Sequence, residues 1–153
     1  MNVVILALAL ASSLNPLLSA TDWDNGRATA QDLQGRVTVI DVFTVDCINC
    51  QNVIPELRRL RREHGNDVAI VGVHSPETSW ERQPSHRRAM LRSQAITRPV
   101  AIDDGFRIWN AYNVTAWPTQ LIFDRHGVLR KTVVGDSQDR LVDATVNSLV
   151  SEH

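Results

Sequence analysis

Val37-Thr38-Val39-Ile40-Asp41-Val42-Phe43-Thr44-Val45-Asp46-Cys47-Ile48-Asn49-Cys50 is the stretch from which the rest of this chain can be read. Apart from Asp41, its first seven residues are β-branched or aromatic, the composition of a strand buried on both faces. Cys47 follows that strand directly. From Ile48 to about His64 the apolar residues Ile48, Val53, Ile54, Leu57 and Leu60 recur at helical spacing, and Gly65 suits the stop. Val68 to Val73 is a second buried strand. Strand, helix and strand in that order predict one right-handed βαβ unit with parallel strands.

Working outward, Ser75 to Arg98 is charged and punctuated by Pro76 and Pro84, with a helix predicted over Ser85 to Gln94. Val100 to Ile102 reads as a short strand and Phe106 to Tyr112 as a short helix. Gln120 to Asp124 and Val128 to Val134 flank Arg125-His126-Gly127 as a hairpin with glycine at the turn. Asp136 or Ser137 is placed to cap a last helix whose apolar face is Leu141, Val142, Val146, Leu149 and Val150. Thr21 to Gln34 is polar and reads as a loop with a short helix or strand. The expected class is α/β, a central mixed sheet with helices on both faces.

The first 20 residues differ from the rest: Met1 to Ala20 holds no charged side chain, and Val3 to Ala11 is unbroken apolar sequence. This resembles the core of a secretory signal or an N-terminal anchor, with a cut after Ala20 or nearer Ala11, although no Lys or Arg precedes it. A buried N-terminal helix is the alternative. The expected organisation is therefore a leader over 1–20 and one domain over 21–153, exported to the periplasm, or cytoplasmic if the segment is not a signal. With 16 basic and 17 acidic residues and a net charge of −1, no global field draws the chain to nucleic acid or an anionic membrane.

The chain has 2 cysteines, at positions 47 and 50. A bridge between them closes almost no loop, so it stabilises little, and a pair placed that way is there to react or to ligate. At the start of a helix, free backbone N–H groups and the positive dipole end favour the thiolate of Cys47, while Cys50 lies one turn inside as the resolving thiol. The metal alternative requires two further ligands, and His64, His74, His86, His126 and His153 are scattered without ligand spacing. Neither a metal nor any cofactor beyond the Cys47–Cys50 couple is expected. Asp41 on a buried strand should have a raised pKa and suit proton transfer near neutrality, unless it reaches solvent or pairs with an arginine.

The run Asp41 to Cys50, with Pro55 after it and Trp117-Pro118-Thr119 further on, resembles the thioredoxin superfamily. Within it the sequence is most similar to exported proteins of the TlpA/ResA type and to the thioredoxin-like domain of DipZ-type membrane electron carriers, where Cys-Ile-Asn-Cys recurs. His74-Ser75-Pro76-Glu77 and Ile108-Trp109-Asn110-Ala111-Tyr112 share the likeness, which runs from about Val37 to Val134. It implies a thioredoxin fold and thiol–disulfide exchange with the cysteine pairs of partner proteins. It implies that Asp41 moves protons behind Cys50 and that Pro118 is a cis-proline facing the cysteines. Trp117, Pro118, Thr119, Ile48 and Asn49 then meet substrate, and Pro55 kinks the helix. A membrane electron donor of the DipZ/CcdA type and a monomeric state are further implied.

Asp46 departs from this pattern, standing where many thioredoxins have Trp and setting a negative charge beside Cys47. Thr44 and Cys47 also resemble the Thr-x-x-Cys of peroxiredoxins, though Ile40 stands where that family has proline. A thiol peroxidase, or a non-catalytic adaptor or metallochaperone on the same fold, is therefore the rival reading. Arg58, Arg59, Arg61 and Arg62 are expected on a solvated helix surface. Arg82, Arg87, Arg88 and Arg92 are expected as a basic rim.

Overall fold

A computed structural model describes residues 13–153. The apolar run Val3 to Ala11 lies outside the described residues. The sheet has six strands in the order β1-β4-β3-β2-β5-β6. They are β1 (Trp23–Asp24), β2 (Val37–Phe43), β3 (Val68–His74), β4 (Val100–Ile102), β5 (Thr119–Phe123) and β6 (Leu129–Val134). β2 runs parallel to β3 and antiparallel to β5, so it is central, and all seven of its residues are buried. This is the α/β mixed sheet expected from the β-branched runs.

The helices are α1 (Asn15–Leu18), α2 (Ala30–Leu33), α3 (Ile48–His64), α4 (Pro84–Ser93), α5 (Arg107–Ala111) and α6 (Asp139–Ser151). Alternation along β2 divides the interior. Val37 and Val39 pack with Val53, Leu57 and Leu60 of α3 and with Val142 and Val146 of α6. Ile40 and Val42 face the other way, onto Leu33, Ile108 and Leu17. Pro55 lies inside α3, which continues through it.

Two local expectations are corrected. Neither Asp136 nor Ser137 caps α6: Ser137 adopts φ 60°, Asp136 accepts from the side-chain amide of Asn52 at 2.8 Å, and the helix starts after Gln138 without a side-chain cap. Arg87 is not part of a basic rim; it is 2% exposed, and its Nε donates to Asp24 at 2.7 Å, tying α4 to the edge strand β1. Residues 13–20 pack onto the domain. Leu17 is 0% exposed, Ala20 is buried beside it, and the Tyr112 hydroxyl donates to the carbonyl of Ser13 at 2.7 Å. A cut after Ala20 would take Leu17 out of the core, whereas one near Ala11 would leave it. Among the described residues no helix is long and apolar enough to cross a membrane.

Candidate active site around Cys47 and Cys50

β2 ends at Phe43, and the chain turns through Thr44, Val45 and Asp46 into α3. Cys47 is the N-cap of α3, with extended backbone, and its Sγ accepts the Cys50 N–H at 3.1 Å. One amide of the first turn thus points at this sulfur, at the positive end of the helix dipole. Cys47 and Cys50 form a disulfide with Cα atoms 5.2 Å apart. Cys47 is half-buried; Cys50 is 3% exposed, packed with Phe43, Val45 and Ile54. Between them Ile48 and Asn49 are exposed, Ile48 at 67%. One sulfur is accessible and the other sheltered.

Asp41 lies on the α3 face of the sheet, between Val39 and Phe43. It is 1% exposed and it is paired: Oδ2 accepts from Nη2 of Arg98 at 2.6 Å and Oδ1 from the amide of Gln120 at 3.1 Å. Burial pushes the carboxyl above its ordinary range, against the pull of Arg98 and Gln120. Buried acid and arginine pair, set apart as alternatives from the sequence, therefore occur together. Arg98 crosses β3 at Gly72, the residue opposite Asp41 in the register. A Cβ on Gly72 would stand 3.0 Å from Phe43, 3.1 Å from Val100 and 3.5 Å from Nε of Arg98. Glycine in this strand serves a close approach. The guanidinium also lies 5.5 Å from the centroid of the Phe43 ring.

A second buried carboxylate supports the Thr44–Asp46 loop. Glu81 is 1% exposed; one oxygen accepts from the Thr44 hydroxyl at 2.5 Å and the Asp46 N–H at 3.1 Å, the other from the N–H groups of Glu77 and Thr78, both at 2.8 Å. Burial pushes this carboxyl up, but the Thr44 hydroxyl and those backbone amides outweigh it and hold it below the glutamate range. The Thr44 hydroxyl is thus committed beneath the loop, where a peroxiredoxin-like role would need it facing a peroxide. His74 lies beside it, its Nε2 3.4 Å from the Thr44 oxygen; burial and the charge of Arg87 lower its pKa to about 4, so it is neutral. The carboxylate of Asp46 sits 2.9 Å from Nε2 of His86, whose ring stacks on the exposed Trp80 at 4.8 Å.

The Trp117–Pro118 peptide bond is cis. Pro118 leads into β5, where Thr119 pairs with Val42 of β2. The Pro118 carbonyl accepts the Gly135 N–H at 2.9 Å, and the Thr119 hydroxyl donates to the Ala116 carbonyl at 2.7 Å. The Trp117 indole donates to the Ser75 carbonyl at 2.8 Å, stacks on Trp109 at 4.5 Å and packs on the cluster that holds Cys50. Cys47, Cys50 and Trp117 thus meet in one apolar cluster, with Asp41 behind it on β2. Sequence reasoning missed Arg98, Gln120 and Glu81; of these only Arg98 left a trace, in the glycine of β3.

A mixed sheet carrying a two-cysteine disulfide at a helix N-terminus after its central strand defines a thioredoxin-like protein. The chain belongs to that family: the Thioredoxin-like family model matches residues 35–129. Protein DipZ of Mycobacterium tuberculosis is 28% identical over 123 residues, covering 80% of this chain and 18% of DipZ. The chain thus spans under a fifth of that relative's length. Thiol-disulfide oxidoreductase YkuV of Bacillus subtilis is 24% identical over 146 residues, covering 95% of this chain and 99% of YkuV. Among solved structures, a thiol-disulfide isomerase from Corynebacterium glutamicum superimposes with a TM-score of 0.78 at 28% identity, covering 89% of this chain and 95% of that one.

Proposed function

We propose that this protein is a thiol–disulfide oxidoreductase that exchanges electrons with cysteine pairs of partner proteins. The observation that carries the reading is the unequal placement of the two sulfurs, Cys47 accessible at the N-cap of α3 and Cys50 buried one turn in. In the reducing direction the Cys47 thiolate attacks one sulfur of a substrate disulfide and expels the other as a thiolate, leaving a mixed disulfide. Cys50 then loses its proton and attacks the Cys47 sulfur, releasing the second substrate thiol and forming the Cys47–Cys50 bond. Two electrons pass to the substrate, and the oxidising direction is the reverse.

Asp41 receives the Cys50 proton in this scheme, with Arg98 and Gln120 holding the carboxyl in place. Ile48, Asn49 and Trp117 form the wall against which the substrate segment lies, whereas Thr119, 0% exposed with its hydroxyl on the Ala116 carbonyl, lies beneath it and is not the substrate contact expected from the sequence. Because the Pro118 carbonyl is engaged by Gly135 and proline has no N–H, the backbone groups offered to that segment are those of Trp117. The kinship with DipZ supports protein partners and a membrane electron donor, and the apolar segment Val3 to Ala11 supports a place outside the cytoplasm.

Trapping tests the assignment. Cys50→Ala is expected to accumulate a mixed disulfide with insulin through Cys47, and Cys47→Ala to abolish insulin reduction. Preferential alkylation of Cys50 in the reduced protein would reverse the roles. Rapid hydrogen peroxide turnover persisting in Cys50→Ala with an external thiol would replace the reading with a peroxidase.

A further inference from the structure

β4 pairs with β3 only at Gly72 to His74, so among the described residues the first half of β3 has no strand along that edge. Beside it opens a cavity of about 340 Å³. Leu33, Leu57, Val71 and Ile96 give it apolar walls, and Arg36, Arg58, Arg61, Arg98 and Asp32 line it as well.

The cations are held close together. Arg36 and Arg61 both donate to the carbonyl of Val68, at 3.0 and 3.4 Å, while Arg58 donates to the carbonyls of Gln94 and Ala95 at 2.7 and 2.9 Å. Each couple repels internally: the charge of Arg61 acts against that of Arg36, and the charge of Arg58 against that of Arg98. Acid balances part of this charge: Asp32, itself at the cavity wall, and Asp67 act on Arg36, and Asp41 pairs with Arg98. The Asp32 carboxylate accepts the Thr29 N–H and hydroxyl, at 2.8 and 2.7 Å, Asp67 pairs with Arg125 at 3.3 Å, and Asp41 is taken by Arg98. Arg58 and Arg61 are exposed and hydrogen-bond to backbone carbonyls rather than to carboxylates, so their charge is left to attract an anion, and their planar forks match phosphate or carboxylate oxygens. The apolar walls give such a ligand's body somewhere to bury.

We propose that this cavity is a binding site for a small amphipathic anion, with its phosphate or carboxylate head at Arg58 and Arg61 and its apolar body against Leu33, Leu57 and Ile96. The proposal stands apart from the redox reading, since neither cysteine lines the cavity and that reading uses neither Arg58 nor Arg61.

The test is calorimetric titration of the full oxidised chain with octyl phosphate, with octyltrimethylammonium as matched cation and inorganic phosphate as headgroup alone. One saturable site is expected, weakened by rising salt. It should weaken about tenfold or more in Arg58→Gln/Arg61→Gln, a change of one charge-assisted contact or more. Amide chemical shifts recorded on the unaltered protein should move at Ala69 to Val71 and Ile96 to Arg98, which keeps the test decisive should the double variant fail to fold. Unsaturable heat, equal binding of the cation, an unchanged affinity in the folded double variant, or shifts on another face would overturn the proposal. Equal affinity for inorganic phosphate would overturn its apolar half.

Discussion

Asp41 and Glu81 are two carboxyls, each 1% exposed, that flank the Cys47 loop and shift in opposite directions. Burial is common to both, so the partners decide. Glu81 receives hydrogen bonds from three backbone amides and two hydroxyls, all stabilising the anion. Asp41 has one guanidinium contact and one amide, and for it burial wins. A buried carboxylate saturated by fixed donors is a permanent anion that builds a loop, whereas one only partly compensated can exchange a proton. Glu56 extends the series: 5% exposed, with Oε1 lacking a hydrogen-bond partner, it is pushed up to about 7 by burial and by Asp139 and Asp143.

The comparison breaks most visibly at Glu81. Glu81→Gln should cost about 3–5 kcal/mol in urea denaturation at pH 7, since a neutral amide cannot satisfy donors fixed for an anion. The native pKa is lowered, so this contribution is present above the unfolded glutamate value and is lost as pH falls through the native one. The variant and wild type should therefore converge in acid. Equal stability at pH 7 would remove Glu81 from its structural role.

Arg98→Met sharpens the other side. It leaves Asp41 buried without a counter-ion, with an expected loss of about 3 kcal/mol at pH 8. A raised native pKa means that the charged form is disfavoured in the fold, so stability should recover as pH falls and Asp41 takes up a proton. A loss independent of pH would assign Arg98 to packing on Phe43 alone. The smallest effect concerns Glu56→Gln, expected to stabilise the protein by about 1–2 kcal/mol above pH 7 and by nothing below about pH 4, because only the ionised form is penalised. Melting temperatures across that range would check it.

The fold was legible because it rests on local composition. The β-branched runs of β2 and β3 and the helical spacing of α3 required no knowledge of distant partners, and element ends moved by about a residue. The cysteines and Asp41 were legible for the same reason, lying within ten residues of sequence. Arg98 and Glu81 were not. They stand 57 and 37 residues from the groups they bond and sit in charged stretches that read as surface. Arg87 was misassigned on the same ground. Its partner Asp24 lies on a two-residue edge strand too short to announce itself. Arg98 also sets the cost of a neutral residue at position 41, which strands the guanidinium.

The proton-carrying role proposed for Asp41 meets its most direct test in the pH–rate profile of insulin disulfide reduction, recorded for wild type and Asp41→Asn with folding verified at each pH. Loss of a positioned acid–base group should slow exchange by about 10²–10⁴-fold near neutrality. The gap should close at higher pH, where Cys50 ionises without help. Profiles that superimpose across the range would contradict the account, leaving Asp41 as the counter-ion of Arg98 and the proton to travel by water.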